Sequence, residues 1–299
     1  MKKTNILATA ALATLLAACS NDSDVFNTPD YADTPIGLNV NVSPMATRAG
    51  YEQGALTEGS FGLYLTTEGT NSDERYNCTN REVKYDNGWT IQGGQLLWKS
   101  NDATVTYYAY LPYTGTVSDA VNYAFTVKTD QSTEDNVKAS DLLWTGQQTA
   151  IPGTALDITF KHALSKLNVT LKKGSELDEG VTFKSVKLSN CATEIVVNLL
   201  EGTIVKTTNS GQTITLYAAT ANEKYECILV PQTFAQSLKV EITDDNGKVY
   251  TFTSNKDLTF ASGKQYTLNL TVGRDKVTTG TISADPWGEE QQGGNLVTE

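Results

Sequence analysis

The chain has 299 residues, a formal net charge of −11 and an apolar content of 39%. This apolar content is sufficient for a hydrophobic core and too high for a disordered chain. The acidic balance argues against nucleic acid as a partner and against electrostatic attachment to anionic lipid, because both need a basic surface. The length allows two domains of ordinary size or one large β domain.

The N-terminus has the pattern of an export signal. Lys2 and Lys3 precede an apolar run over residues 6–18. This run is shorter than the roughly 20 apolar residues that cross a bilayer, so it indicates a secretory signal peptide.

The end of the apolar run resembles the lipobox of bacterial lipoproteins. It reads Leu16-Ala17-Ala18-Cys19 and is followed by a polar stretch. We predict that residues 1–19 are a lipoprotein signal ending at the lipidated residue, and that the Cys19 thiol receives a diacylglycerol. Several acyl chains would then hold the protein firmly at a membrane. The alternative is an ordinary signal peptide with an incidental cysteine.

A polar stretch over residues 20–35, with Pro29 and Pro35, predicts a flexible tether. A strand follows it, because the apolar residues of segment 36–42 alternate with polar residues or glycine. The alternating residues are Ile36, Leu38, Val40 and Val42.

Period-2 alternation and turn signals continue along the chain. Segments 240–243 and 249–253 flank Asp244-Asp245-Asn246-Gly247, and segments 83–85 and 89–91 flank Asp86-Asn87-Gly88. Asn and Gly tolerate the positive φ of hairpin turns, so both regions predict hairpins. Segment 266–272 predicts another strand. Many short strands of this kind indicate an all-β fold of sandwiches, with a domain boundary near residue 157.

Helical periodicity is scarce. Segment 134–144 predicts one or two helical turns, and segment 218–225 is a weaker helical candidate.

Residues with catalytic or metal-binding chemistry are few, and we expect no catalytic, cofactor or metal site. A single histidine, His162, cannot supply a histidine-rich metal site, and no G-x-S-x-G nucleophile pattern accompanies it. A glycosidase carboxylate pair stays open, since its members can lie far apart in sequence.

The aromatic and thiol residues leave two further alternatives open. The tryptophans could form a sugar-stacking platform, although tryptophan is more typically a core anchor; they are Trp89, Trp98, Trp144 and Trp287. The remaining cysteines form one disulfide and one free thiol or are all free; they are Cys78, Cys191 and Cys227.

The segment directly after strand 36–42 has the composition of an exposed, cleavable loop. It reads Ser43-Pro44-Met45-Ala46-Thr47-Arg48-Ala49-Gly50 and is small, polar and bounded by Pro and Gly. On composition alone, Arg48 is either a solvated loop residue or a processing site.

Five stretches, taken together and in order, resemble the fimbrillin family, the subunits of type V pili in Gram-negative gut and oral anaerobes. They are Ser140-Asp141-Leu142-Leu143-Trp144, Phe160-Lys161-His162-Ala163-Leu164-Ser165-Lys166-Leu167, Leu229-Val230-Pro231-Gln232, Ser262-Gly263-Lys264-Gln265-Tyr266 and Pro286-Trp287. The resemblance implies an all-β fold of two transthyretin-like Greek-key β-sandwich domains in tandem, here residues 49–156 and 157–299.

The resemblance also implies a route of assembly. The lipoprotein reaches the outer membrane, and an arginine-specific protease cuts between Arg48 and Ala49. Residues 20–48 are then a pro-segment whose strand leaves a groove for a strand of another pilus subunit. The donor is expected within residues 273–299, either Val277 to Ile282 or Asn295 to Thr298. The rival interpretation is a surface glycan-binding lipoprotein of a nutrient-uptake system.

Overall fold

A computed structural model of the protein describes residues 29–43, 51, 54–69 and 72–287. Cys19, Arg48, Ala49 and the tail segment 295–298 lie outside these residues. The chain divides into a short unit, residues 1–30, and a large unit, Tyr31–Glu299, which contains every strand and helix described below. Within the described ranges, no helix has both the length and the apolar character needed to cross a membrane.

The first half of the chain forms ten strands and a short helix. In chain order they are β1 (Leu38–Val42), β2 (Gly54–Ala55), β3 (Ser60–Thr67), β4 (Cys78–Tyr85), β5 (Trp89–Ile91), β6 (Val105–Leu111), β7 (Tyr123–Thr126), α1 (Glu134–Ser140), β8 (Leu143–Trp144), β9 (Gln148–Ala150) and β10 (Leu156–His162).

The second half is built from strands alone in its described part. They are β11 (Ser165–Lys173), β12 (Phe183–Cys191), β13 (Glu194–Asn198), β14 (Thr203–Thr208), β15 (Gln212–Thr215), β16 (Tyr217–Thr220), β17 (Lys224–Leu229), β18 (Gln232–Phe234), β19 (Lys239–Asp244), β20 (Val249–Thr253), β21 (Leu258–Phe260), β22 (Lys264–Val272) and β23 (Val277–Pro286).

The strands assemble into five sheets. The largest has nine strands in the order β2-β1-β10-β8-β6-β3-β4-β5, with β9 paired to β6. The others are a five-stranded sheet β16-β17-β11-β22-β23, a four-stranded sheet β15-β12-β19-β20, a three-stranded sheet β14-β13-β7 and the pair β18-β21. The all-β prediction is therefore confirmed.

Two hydrophobic cores stabilise the sheets. One covers a face of the nine-stranded sheet and includes Leu63 and Leu65 of β3. The other includes Tyr64, which lies between them in sequence, together with the buried residues of the five- and four-stranded sheets. Successive side chains of a strand point to opposite faces, so β3 contributes to both cores. The division into two tandem domains at residue 157 stays a prediction.

Both predicted hairpins are confirmed, and so is the strand at 266–272. β19 pairs antiparallel with β20, and β4 with β5. In the first turn, Asp244 Oδ1 accepts hydrogen bonds from the backbone N–H groups of Asn246 and Lys248, at 3.0 and 2.8 Å. This side chain satisfies turn donors that would otherwise lack a partner, which stabilises the turn.

The helix predicted at 134–144 forms only in its first half, as α1. Thr133 caps it by accepting a hydrogen bond from the N–H of Asn136, and Glu134 and Asp135 occupy the first turn, where carboxylates are favourable. The chain then turns into β8, whose residues Leu143 and Trp144 are buried on opposite faces of the sheet.

The weaker helical prediction at 218–225 is wrong. β16 and β17 form an antiparallel hairpin there. Asn222 adopts φ of 65° in the turn, and its side-chain oxygen accepts a hydrogen bond from the N–H of Phe183 at 2.7 Å. Tertiary pairing therefore overrides the helical propensity of the alanines in this segment.

Candidate functional site

The first strand lies near one edge of the nine-stranded sheet. β1 pairs in parallel with β10 in the register Leu38↔Leu156 to Val42↔Phe160. On its other side, β2 pairs only with Asn41 and Val42, so the rest of β1 has no further strand neighbour among the described residues. The pairing of β1 with β10 thus brings together residues that are 118 apart in sequence, close to the sheet edge.

The alternation predicted for residues 36–42 is largely confirmed. Ile36, Val40 and Val42 are buried at 2%, 6% and 2% exposure. The strand itself begins at Leu38, two residues later than predicted, and Leu38 is half-buried. Asn39 points outward, where its Nδ2 donates to Asp157 Oδ1 at 2.9 Å.

The side chains of β10 beside β1 are apolar and buried. In register with the inward residues of β1 lie Leu156, Ile158 and Phe160, all with 0% exposure. The Phe160 ring packs edge-on against Phe61 at 5.4 Å. Removing β1 would expose one side of these apolar residues and leave backbone groups of β10 unpaired, which together would form a groove for another strand.

Tyr51 is the first described residue after the segment predicted to be cleaved. Tyr51 is buried, and its backbone N–H donates to Asp141 Oδ2 at 3.2 Å. Burial and the nearby Asp141 carboxylate raise the pKa of the Tyr51 phenol well above its ordinary value. Residues 44–50, with Arg48 and Ala49, lie outside the described residues.

Asp141 also binds His162, at the end of β10. His162 Nδ1 lies 2.9 Å from Asp141 Oδ1, and the two side chains are 1% and 0% exposed. The imidazole stacks on the Trp287 indole with ring centroids 3.8 Å apart. Nε2, the atom that would contact the nucleophile of a serine triad, is buried with no hydrogen-bond partner in the described part of the chain.

The stretches that carry the family resemblance converge around His162. The N–H of Trp287 donates to the carbonyl of Gly263, and that of Ala163 to the carbonyl of Leu142. Ser165 pairs with both Leu229 and Lys264. These stretches therefore build the junction at which β10 passes into β11. The sequence predicted no catalytic or metal-binding role for His162 but contained no signal for its partners.

A buried ion pair lies close to this junction. Lys166 Nζ is 2.9 Å from Glu226 Oε2, with side chains 1% and 6% exposed. Desolvation raises the pKa of Glu226 to about 7, and the Lys166 charge opposes that shift. The pair lies inside the fold, where it is suited to positioning β11 against β17.

The remaining candidate residues are mostly buried. Trp98, Trp144 and Trp287 are 1%, 6% and 1% exposed, so they belong to the cores. Trp89 is partly buried against one of these cores, so the four tryptophans form no sugar-stacking platform. All three described cysteines are free and buried. No cluster of metal-ligating side chains occurs in the ranges that the structure covers.

One predicted donor segment forms part of the edge strand of this chain's own five-stranded sheet. Residues 277–282 are part of β23, which pairs antiparallel with β22 from Val277↔Val272 to Pro286↔Lys264. Val277 and Ile282 are partly buried against the core. This segment would have to leave β22 before it could serve another subunit.

The chain belongs to the Fimbrillin-like family, whose model matches residues 47–287. Among curated proteins no match is found. This assignment confirms the resemblance that the five stretches carry.

Solved structures of candidate cell adhesion proteins and a fimbrial protein share the fold. A candidate cell adhesion protein of Bacteroides ovatus aligns with a TM-score of 0.66 at 17% identity, over 87% of this chain and 100% of that one. A candidate cell adhesion protein of Bacteroides uniformis gives 0.62 at 21% identity, over 84% and 98%. A fimbrial protein of Bacteroides vulgatus gives 0.51 at 16% identity, over 84% and 99%.

Proposed function

We propose that this protein is a structural subunit of a cell-surface pilus that supports adhesion and has no catalytic activity. It is exported as an outer-membrane lipoprotein acylated at Cys19, cut after Arg48 and polymerised when a strand of another subunit replaces β1. The observation that carries the proposal is the position of β1. This strand lies beside the buried apolar side chains of β10 near a sheet edge and is followed directly by an arginine-bearing segment.

The surroundings of the other arginines support Arg48 as the processing site. Arg75 is exposed but lies in a tight turn, in which the N–H of Asn77 donates to the carbonyl of Asp73 at 3.0 Å. Arg81 lies within β4, and its side chain is only 14% exposed. Arg274 lies in the short turn between β22 and β23, which is closed by a hydrogen bond from the N–H of Gly273 to the carbonyl of Lys276. A protease needs an accessible segment that can extend into its active site, whereas these three positions lie in tight turns or in a paired strand.

Replacing Arg48 tests the processing step. The Arg48→Ala variant is expected to accumulate as uncleaved monomer, whereas the parent yields a chain that begins at Ala49. N-terminal sequencing of surface-extracted protein shows directly whether the chain begins at Ala49. Arg274→Ala is the matched control and is expected to be processed like the parent. Normal maturation of Arg48→Ala would contradict the proposal.

Replacing Cys19 tests the anchor. Cys19→Ala is expected to abolish incorporation of labelled fatty acid and to release the protein from the membrane fraction, because the acylated thiol is lost. Cys78→Ala keeps Cys19 and is expected to stay acylated. Labelling of Cys19→Ala at the level of the parent would show that the lipobox assignment is wrong.

A further inference from the structure

The buried ion pair of the five-stranded sheet joins two neighbouring strands. Lys166 lies on β11 and Glu226 on β17, and Lys166 is the register partner of Ile228. Residues two positions apart along a strand point to the same face, so Glu226 lies on the face of Lys166, diagonally across the two strands. The closest atoms of the pair, Lys166 Nζ and Glu226 Oε2, are 2.9 Å apart.

The backbone around this pair is fixed on both sides. β11 is an inner strand of its sheet, paired with β17 and β22. The buried Gln131 side chain accepts a hydrogen bond from the N–H of Ile228 at 2.8 Å and donates one to the Ile228 carbonyl at 2.9 Å. These bonds hold the part of β17 that adjoins Glu226. The fold therefore keeps the amine and the carboxyl group in lasting contact.

The ionised form of the pair is costly in this position. The Lys166 and Glu226 side chains are only 1% and 6% exposed, so both charges have lost most of their hydration. Glu226 Oε1 is buried and has no hydrogen-bond partner among the described residues. A buried ion pair offsets its desolvation only when its remaining polar atoms are also satisfied. Desolvation raises the pKa of Glu226 to about 7 although the Lys166 charge lowers it, which makes the protonated acid accessible.

We propose that Lys166 and Glu226 condense into an intramolecular isopeptide bond once the chain has folded. The ammonium group passes a proton to the carboxylate, which gives an amine and a carboxylic acid. Nζ then attacks Cδ of Glu226, so that the Nζ–Cδ bond forms and the Cδ–Oε2 bond breaks. Oε2 leaves as water, carrying two of the three protons that the ammonium group held. The step is redox-neutral and consumes no other reactant.

The same contact supplies the driving force for the bond. Amide formation is unfavourable between separate molecules in water, but groups held in contact react as if at roughly 10⁵–10⁸ M. The product is a neutral amide, so the two desolvated charges disappear from the interior. The bond would join β11 to β17 covalently, and a pulling force could then no longer separate these strands. The inference goes beyond the proposed function and does not depend on strand exchange.

Mass spectrometry of the folded full chain tests the inference. The intact protein is expected to be lighter, by the mass of one water molecule, than its processed sequence. Trypsin does not cut after an acylated lysine, so digestion of the denatured protein should yield one branched peptide that contains both Lys166 and Glu226. Lys166→Met keeps most of the apolar stem and removes the amine, and this variant is expected to have the full mass of its sequence.

An exposed pair in the same molecule is the matched control. Lys239 Nζ lies 2.8 Å from Glu241 Oε1, but these side chains are 39% and 31% exposed. Their charges stay hydrated, so trypsin is expected to cut normally after Lys239. A parent protein with the full mass of its sequence, or one in which trypsin cuts after Lys166, would overturn the inference and leave the proposed function standing. The parent protein alone gives this result, whether or not Lys166→Met folds.

Discussion

Replacing Asp141 with alanine is expected to lower the free energy of unfolding by about 3–5 kcal/mol, as removal of one partner of a buried pair does. Asp141 is fully buried and accepts from the Tyr51 N–H while its other oxygen binds His162. Without the carboxylate, both imidazole nitrogens of His162 would lack a partner among the described residues, and each buried polar group left unpaired adds to the cost.

Chemical denaturation of the purified variant measures this effect. Asp135→Ala is the matched control, because Asp135 is an exposed carboxylate in the first turn of α1. Its loss removes only a favourable interaction with the helix dipole, worth about 0.3–1 kcal/mol. Equal stability of the two variants would show that the junction around His162 does not depend on the buried pair.

Local sequence signals were sufficient to predict many of the strands and turns of the fold. The Asn-Gly turns located two hairpins, because few other residues adopt the required backbone at low cost. Alternation located the buried face of residues 36–42, since Ile36, Val40 and Val42 are all buried. The same pattern overestimated the burial of Leu38. This residue is half-buried because β2 pairs only with the other end of the strand.

Long-range partners could not be predicted from the sequence. A period-2 pattern assigns the buried face of a strand but not the strand beside it, so the parallel pairing of β1 with β10 had no local signal. The same holds for His162, whose partners Asp141 and Trp287 lie far along the chain in opposite directions. The hairpin at 217–229 was missed because Asn222, its turn residue, lies between alanine and glutamate, both helix formers.

The burial of β1 sets the energetic requirement for strand exchange. Full burial of Ile36, Val40 and Val42 contributes roughly 5–9 kcal/mol by area, an upper estimate because unfolded chains already bury some surface. Cleavage after Arg48 would leave these contacts in place. Residues 20–48 would therefore stay bound until an incoming donor strand makes equivalent contacts with β10.

Locking β1 to β10 by a disulfide is expected to block polymerisation completely while leaving cleavage intact. Asn41 and Thr159 are register partners on the exposed face of the two strands. Neighbouring strands lie about 4.8 Å apart, within the roughly 4.4–6.8 Å between Cα atoms that disulfides span. The double variant Asn41→Cys, Thr159→Cys should therefore form the bond without displacing either strand. The described native cysteines are buried and free, so they do not compete.

The decisive measurement is the SDS-resistant ladder formed by this double variant after cleavage at Arg48, with and without reductant. Strand exchange predicts monomer under oxidising conditions and a ladder like that of the parent once the disulfide is reduced. The single variants Asn41→Cys and Thr159→Cys should form ladders under both conditions. A full ladder from the oxidised double variant would contradict the account, because subunits would then be joining while β1 still occupies its place on β10.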